Sequence, residues 1–181
     1  MGVIEPAEAP QLSRGRDGRR RRLEQLYEAH ASAVFSYARR RASWADADEV
    51  VSETFLIAWR RLDQVPSQER AWLIGVARKV LANRNRSEAR QQRVRHRLVV
   101  ARPADDRTED VDARVHSALA QLSDTDRDAL TMLAWDGLSP AEIGAALGCS
   151  RAAAYVRIHR ARRRFAALLL AASTSHEGDQ E

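Results

Sequence analysis

The chain has 181 residues, of which 44% are hydrophobic and 30% are charged, and its formal net charge is +5. This composition supports one large or two small packed domains, and no apolar run reaches the roughly 18 residues that span a bilayer. The single cysteine, Cys149, excludes both disulfides within the chain and a multi-cysteine metal site.

Residues 1–22 combine two prolines with a run of arginines and lack the apolar stretch of a secretory signal. We therefore predict a disordered basic arm of a cytoplasmic protein without membrane insertion. Among the lysine and arginine positions, all except Lys79 are arginine. Arginine suits phosphate binding because its planar guanidinium pairs with phosphate oxygens. A GC-rich genome would produce the same bias, so both explanations stay open.

Three helices are predicted in the first half of the chain. Apolar residues recur at three- and four-residue spacing from Leu23 to Ala38, which is typical of one helix face. A second helix is expected to begin at Asp46, whose carboxylate could form a capping box with Glu49. Pro66 interrupts the pattern, and a third helix is predicted from about Glu69, with arginines concentrated in its later turns.

A linker separates this block from a second helical block. Between Val99 and Asp112 the apolar periodicity fades, Pro103 interrupts the chain, and acidic residues reverse the local charge. Helical periodicity resumes at Val115, and no strand-like alternation competes with it. The predicted fold class is therefore all-α, with two small helical domains and a frayed acidic end from Ser173 to Glu181.

The segment from Gly137 to Phe165 has the pattern of a helix-turn-helix. Ser139-Pro140-Ala141-Glu142 supplies an N-cap serine, a proline at the first helical position and a glutamate at the third. Gly148 permits a tight turn, and Ser150 can cap a second helix. In this motif the second helix enters the major groove, so its outward face is expected to read bases and its further arginines to contact phosphates. The base-reading candidates are Arg151, Ala152, Tyr155, Val156, His159 and Arg160, and the phosphate candidates are Arg157, Arg162, Arg163 and Arg164.

The charges of the second helix also have a simpler explanation. An arginine-rich amphipathic helix can merely solvate a helical hairpin. The capping box and the glycine turn, both in register with the apolar positions, favour DNA binding over this alternative.

Four strings occur in a fixed order along the chain. They are ADEVVSETFLIAW at 47–59, RAWLIGVAR at 70–78, LSDTDR at 122–127 and DGLSPAEI at 136–143. Together, across the acidic linker, they resemble the extracytoplasmic-function sigma factors of bacterial RNA polymerase, from about Leu23 to Leu170. The resemblance implies a sigma region 2-like domain over 23–97, a flexible linker over 98–112, a region 4-like helix-turn-helix domain over 113–170 and a disordered tail over 171–181.

The resemblance implies two partners, core RNA polymerase and promoter DNA, with an anti-sigma factor as a further candidate. The second helix would dock on the coiled coil of the polymerase's largest subunit through Asp48, Glu49, Ser52, Glu53 and Arg60. The loop between the second and third helices would capture a base flipped from the single-stranded −10 element, and the third helix would hold the strand. The −10 candidates are Val65, Arg70, Trp72, Arg78, Lys79, Asn83, Arg84 and Arg86, whereas the helix-turn-helix would read the duplex −35 element.

Three positions depart from the family's pattern, and the base-capturing loop is shorter than usual. Ser52 stands where glutamine is usual, Lys79 where an asparagine commonly reads the flipped base, and Tyr155 where arginine is frequent. A lysine donates hydrogen bonds but cannot accept them, and a tyrosine lacks the forked donors that read guanine. The base preferences at both elements therefore do not follow by analogy.

Two other classes of function fit less well. The five histidines are scattered without ligand spacing and no glycine-rich phosphate loop follows a strand, so we expect no catalysis, metal or cofactor. A self-sufficient helix-turn-helix regulator would bind duplex DNA alone, usually as a dimer. The aromatic and arginine pattern from Trp72 to Arg97 suits unpaired bases better than a ligand cavity. Co-elution with core polymerase would favour the sigma factor, and tight specific duplex binding by the chain alone would favour the regulator.

Overall fold

The computed structural model describes residues 9–95 and 111–177, with side chains described over 17–87 and 114–171. Within these ranges there is no strand, which confirms the all-α prediction. No helix in the same ranges is long and apolar enough to cross a membrane. The helices are α1 Ala9–Arg39, α2 Trp44–Arg60, a short 3-10 helix Leu62–Gln64, α3 Glu69–Arg95, α4 Val111–Ala120, α5 Asp124–Ala134, α6 Pro140–Leu147 and α7 Arg151–Glu177.

The chain separates into two compact units, Met1–Ala82 and Asn83–Glu181. In the first unit α1 packs against α2, and α3 contributes a third set of buried apolar side chains. Burying one such side chain contributes about 1.5–3 kcal/mol. The largest fully buried apolar side chains of this unit are Leu26, Val34, Tyr37, Val50, Leu73, Ile74 and Val80.

In the second unit α4, α5 and α6 all pack against α7. A buried cluster joins Leu119 of α4, Leu122, Leu130 of α5 and Ala161 of α7. Helix α6 adds Ile143 and Ala146 to the buried side chains. These contacts cover one side of α7 and leave the opposite side of its first turns exposed.

Helix α2 begins earlier than predicted. Its N-cap is Ser43, whose hydroxyl oxygen accepts a hydrogen bond from the backbone N–H of Asp46 at 3.3 Å and donates one to the Asp46 carboxylate. The prediction of a cap at Asp46 was wrong because a serine three residues ahead takes that role. Asp46 lies instead in the first turn, where a negative charge complements the helix dipole.

Helix α1 begins at Ala9 and so includes residues 9–22 of the N-terminal arm, for which the sequence predicts disorder. Ion pairs of Arg19 with Asp63 and of Arg22 with Glu69 join this part of α1 to residues more than forty positions away. Helix α7 likewise continues to Glu177, into the predicted disordered tail. Residues 1–8, residues 96–110 with most of the predicted linker, and residues 178–181 lie outside the described residues.

Candidate nucleic-acid interface

The turn between α6 and α7 has the geometry that the sequence predicts for a helix-turn-helix. The Ser139 hydroxyl accepts from the Glu142 backbone N–H at 3.3 Å, and the Glu142 carboxylate accepts from the Ser139 backbone N–H at 2.8 Å. Gly148 ends α6 with φ +72°, and Gly137 precedes it with φ +63°. Residues with a Cβ rarely adopt these angles. The capping box and Gly137 therefore determine where α6 begins, and Gly148 determines where it ends and where α7 can follow.

Gly144 is a further glycine on which this turn depends. A Cβ atom at this position would lie 2.9 Å from the carbonyl oxygen of Cys149 and 3.3 Å from the carbonyl carbon of Ser150. The Cys149 backbone N–H also donates to the Gly144 carbonyl at 2.8 Å. The start of α7 thus passes against a position of α6 that has no room for a side chain. The sequence carries a signal for this, since glycine inside a helix costs about 1 kcal/mol relative to alanine.

The first turns of α7 present an exposed face. Tyr155 and Val156 are 65% and 64% exposed, whereas Ala154 and Ile158 on the other side are buried. Exposed apolar side chains that lie together mark interaction surfaces. The residues that the sequence predicts to contact the −35 element, through bases or phosphates, all lie on the exposed surface: Arg151, Ala152, Tyr155, Val156, His159, Arg160 and Arg163.

Two arginines of α7 converge on one buried carboxylate of α5. Asp126 is only 6% exposed, and its Oδ1 accepts hydrogen bonds from Nη1 of Arg157 at 3.3 Å and Nη2 of Arg160 at 3.5 Å. Its backbone N–H is held by the hydroxyl of Ser123 at 3.3 Å. The structure therefore pairs Arg157, which we expected at a phosphate, with a carboxylate inside the protein. The sequence gives no sign of this, because an acidic residue in the first turn of a serine-capped helix is usually solvated.

The charged side of α2 forms a continuous exposed stripe. Leu56, which is 48% exposed, lies in the middle of it, one helical turn after Ser52 and one turn before Arg60. We did not assign Leu56 a role from the sequence, although its spacing relative to the charged residues is the signal that could have placed it. The residues predicted to contact core polymerase are all exposed: Asp48, Glu49, Ser52, Glu53 and Arg60.

The predicted −10 residues lie in the loop 65–68 and along α3. Val65 follows the 3-10 helix and is partly buried. Helical spacing places four of the α3 residues on one face, whereas Arg70, Arg78 and Arg84 lie on other sides of the helix. The Arg86 guanidinium donates to the Asn83 side-chain oxygen at 2.5 Å. The residues that share the face are Trp72, Lys79, Asn83 and Arg86.

Two arginines of α1 contact the residues on either side of this loop. Arg19 binds Asp63 before the loop, and Arg22, one turn later, binds Glu69 at the start of α3. His30 Nε2 lies 3.2 Å from the second carboxylate oxygen of Glu69. The hydrogen bond from Arg22 lowers the pKa of Glu69 below its ordinary value, and His30 contributes to a smaller extent. Burial of the carboxylate acts in the opposite direction but does not outweigh them.

Two family models match the chain. The model described as Sigma-70 region 2 matches residues 26–91, and the model described as Sigma-70, region 4 matches residues 112–165. The RNA polymerase sigma factor NccH of Alcaligenes xylosoxydans xylosoxydans is 31% identical over 162 residues, which cover 80% of this chain and 85% of NccH. The ECF RNA polymerase sigma factor SigL of Mycobacterium tuberculosis is 31% identical over 148 residues, which cover 77% of this chain and 84% of SigL.

Two solved structures are similar to this chain over most of its length. The sigma factor RpoE from Bartonella quintana, in complex with the anti-sigma factor NepR, aligns with a TM-score of 0.60 and 25% identity over 81% of this chain and 95% of RpoE. CnrH in complex with the cytosolic domain of CnrY aligns with a TM-score of 0.59 and 31% identity over 88% of this chain and 94% of CnrH. The matched regions follow the order that the sequence motifs predicted.

Proposed function

The chain belongs to the extracytoplasmic-function sigma factors of bacterial RNA polymerase, which bind the core enzyme and direct promoter-specific initiation, and we propose how its own residues divide that work. In this proposal the stripe on α2 binds core polymerase. The loop 65–68 and the exposed face of α3 capture the −10 strand. The outward face of α7 reads the −35 duplex.

The exposed face of α7 carries the proposal for the −35 element. A major groove admits one α-helix, whose outward side chains meet the base edges. Tyr155 and Val156 offer apolar contact, for example with thymine methyl groups, and His159 and Arg160 add hydrogen-bond donors one turn later. Arg151 and Ala152 lie at the end of the helix that enters the groove first. Arg163 lies further along α7 and contacts a phosphate.

The face of α3 supports a role in holding unpaired DNA. Trp72 provides an aromatic ring against which a base can stack, while Lys79 and Arg86 supply positive charge for the backbone. Asn83 can both donate and accept hydrogen bonds, as reading a base edge requires. Val65 borders the pocket for the flipped base from the loop. The arginines off this face, Arg70, Arg78 and Arg84, hold the strand from the flanks.

The stripe on α2 has the composition of a protein-binding surface. An exposed leucine surrounded by charged residues resembles the apolar centre and polar rim of an interface. Leu56 supplies the apolar contact. The charges of Asp48, Glu49, Glu53 and Arg60 orient the approach, and Ser52 lies at the centre where a longer glutamine is usual in the family.

We further propose that the working domains extend over 23–97 and 113–170, joined by a linker over 98–112. RpoE is in complex with the anti-sigma factor NepR. By analogy this chain is held by an anti-sigma factor in the cytoplasm until a signal releases it. The chain itself carries no catalytic step; the polymerase performs the chemistry.

Run-off transcription from a promoter library randomised in both elements tests this division. Purified core polymerase is supplied with the wild-type chain, a Lys79→Ala variant or an Arg160→Ala variant, and start-site activity is sequenced. We expect the first variant to alter only −10 preference and the second to alter only −35 preference. A change in the opposite element for either variant would refute the assignment. Specific duplex binding and promoter opening by the chain without core polymerase would refute the proposal as a whole.

A further inference from the structure

We propose that α1 positions the −10 capture loop: Arg19 and Arg22 hold the two ends of segment 63–69 and so set the shape into which the flipped base enters. This inference rests on the proposed −10 role of that segment. The two arginines are positioning residues, which act through the loop without touching DNA.

The first anchor joins α1 to the end of α2 and to the 3-10 helix. Nη1 of Arg19 lies 2.5 Å from Oδ2 of Asp63, and its Nη2 donates to the backbone carbonyl of Trp59 at 3.1 Å. The guanidinium carbon also lies 5.3 Å from the centroid of the Trp59 ring. An exposed ion pair alone contributes little, but the backbone hydrogen bond and the cation–π contact add to it and fix the arginine in one place.

The second anchor joins α1 to the first residue of α3. Arg22 forms an ion pair with Glu69, and His30 contacts the other oxygen of the same carboxylate at 3.2 Å. Glu69 is partly buried, and the hydrogen bond from Arg22 lowers its pKa. The carboxylate therefore stays charged, and paired with Arg22, to a lower pH than a free glutamate would. Leu26, between Arg22 and His30 on the same face of α1, is fully buried. The anchor is therefore continuous with the core of the first unit.

Only five residues, 64–68, lie between the two anchored positions, and one of them is Pro66. Fixing both ends of so short a segment leaves it few conformations, and proline reduces them further. The backbone hydrogen bonds of the segment lie at its ends: the Gln64 N–H donates to the Arg61 carbonyl at 2.8 Å, the Val65 N–H donates to the Leu62 carbonyl at 3.4 Å, and the Gln68 carbonyl accepts from the Trp72 N–H at 3.0 Å. The two anchors from α1 add to these bonds in setting the shape of the loop, although the arginines lie far from it in the sequence.

A second role for these arginines would be direct phosphate binding. Both guanidinium groups form ion pairs with carboxylates. These negative charges offset the positive charge that would attract a phosphate. Arg21, in the same run, is exposed and provides a matched control. A phosphate role predicts that loss of Arg21 and loss of Arg22 have similar effects, whereas a positioning role predicts that they differ.

The experiment measures promoter opening by the full chain with core polymerase, followed by 2-aminopurine fluorescence at the −10 element. The variants are Arg22→Glu, Glu69→Arg, the double exchange of both, and Arg21→Glu as the charge-matched control. We expect each single reversal at the anchor to slow opening roughly tenfold. The double exchange should restore most of the rate, and the control should stay near wild type. Binding to core polymerase and −35 preference should be unchanged in all four.

Equal defects in Arg22→Glu and Arg21→Glu, or a double exchange no faster than the single variants, would overturn the inference. If circular dichroism shows that a charge reversal unfolds the chain, Arg22→Lys and Glu69→Gln replace the reversal variants. For these two variants the −10 base preference must shift although the chain stays folded, which circular dichroism checks. The proposed function fails separately, if Val65→Ala and Lys79→Ala leave −10 preference unchanged. If those two variants shift it and the Arg22 variants do not, the inference alone fails.

Discussion

Oδ1 of Asp126 lies 3.5 Å from Nη2 of Arg160, although the carboxylate is buried and the arginine side chain is 64% exposed. A guanidinium carries five N–H donors, so Arg160 can contact Asp126 with one of them and keep others for DNA. The same carboxylate oxygen also binds Arg157. Asp126 therefore orients one arginine on the exposed face of α7 and neutralises positive charge beneath it.

We predict that Asp126→Asn relaxes −35 selectivity while strengthening salt-sensitive, non-specific DNA binding. The amide no longer compensates the two arginines, so their charge becomes available to any phosphate. Leaving them with a weaker partner also destabilises the second unit by about 1–3 kcal/mol. The measurement is holoenzyme binding to matched and scrambled −35 sequences over a salt series, with thermal unfolding alongside. An unchanged ratio of the two affinities would contradict the prediction.

Replacement of Arg160 and of Arg163 should have different effects. Arg160→Ala is expected to weaken binding to the preferred promoter by about 1–3 kcal/mol and to relax the preference at one base position. Arg163→Ala should weaken binding to all sequences alike, as expected when a phosphate contact is lost. It should also reduce the slope of log affinity against log salt concentration by about one. Holoenzyme binding to a −35 library at several salt concentrations separates the two. Matching profiles for both variants would show that the outward face is assigned wrongly.

Leu56→Ser should weaken binding to core polymerase by about 1–2 kcal/mol without changing the melting temperature, because the leucine is half exposed and lies centrally in the α2 stripe. The matched control is Leu170→Ser on α7. That leucine is 70% exposed and lies in the other unit. A core-binding titration with labelled chain gives both affinities. Equal affinities for the two variants would remove Leu56 from the proposed interface.

Gly144→Ala should destabilise the second unit, although alanine is the better helix former. The new Cβ would meet the backbone oxygen of Cys149 at 2.9 Å, and a backbone atom cannot swing away as a side chain does. Gly18→Ala is the matched control, since nothing lies within 4 Å of its added Cβ. It should stabilise the chain by up to about 1 kcal/mol. The melting temperatures of the two variants, measured by circular dichroism, should thus shift in opposite directions. A shift in the same direction would contradict the close approach at Gly144.

The Arg22–Glu69 contact predicts a pH dependence of stability in the first unit. The pKa of Glu69 is lower in the folded chain than in the unfolded chain. Its contribution is therefore complete above the unfolded carboxyl pKa of about 4.3 and is lost as the pH falls through the folded pKa. Three of the four tryptophans, Trp44, Trp59 and Trp72, belong to this unit, so fluorescence-detected unfolding reports on it. In the Glu69→Gln variant the free energy of unfolding should fall less steeply as the pH is lowered into the acid range. An unchanged pH dependence would contradict the assignment.

Local signals predicted much of the fold. The capping box of Ser139 and Glu142, the positive φ of Gly148 and the start of α3 at Glu69 all follow from residues within one helical turn of each other. The features that the sequence did not reveal depend on distant partners. Arg19 and Arg22 look solvated until Asp63 and Glu69 are brought beside them by the packing of three helices.

The same distinction holds within the candidate sites. Helical periodicity predicted which side of α7 is exposed, and the structure confirms that exposure. It could not place Asp126 beneath that face, because the burial of a first-turn carboxylate depends on how α5 and α7 cross. The contacts of each candidate with DNA or polymerase stay predictions.

The exposure of Tyr155 and Val156 has a consequence for how such a chain can diverge during evolution. Both side chains stand clear of the core, so replacing either one costs little folding stability. The buried side of the same helix, with Ala154, Ile158 and Ala161, is constrained by packing. Under the proposed reading of the −35 element by this face, a few outward substitutions would give a duplicated gene a different set of target promoters, while the inward residues keep the helix in place.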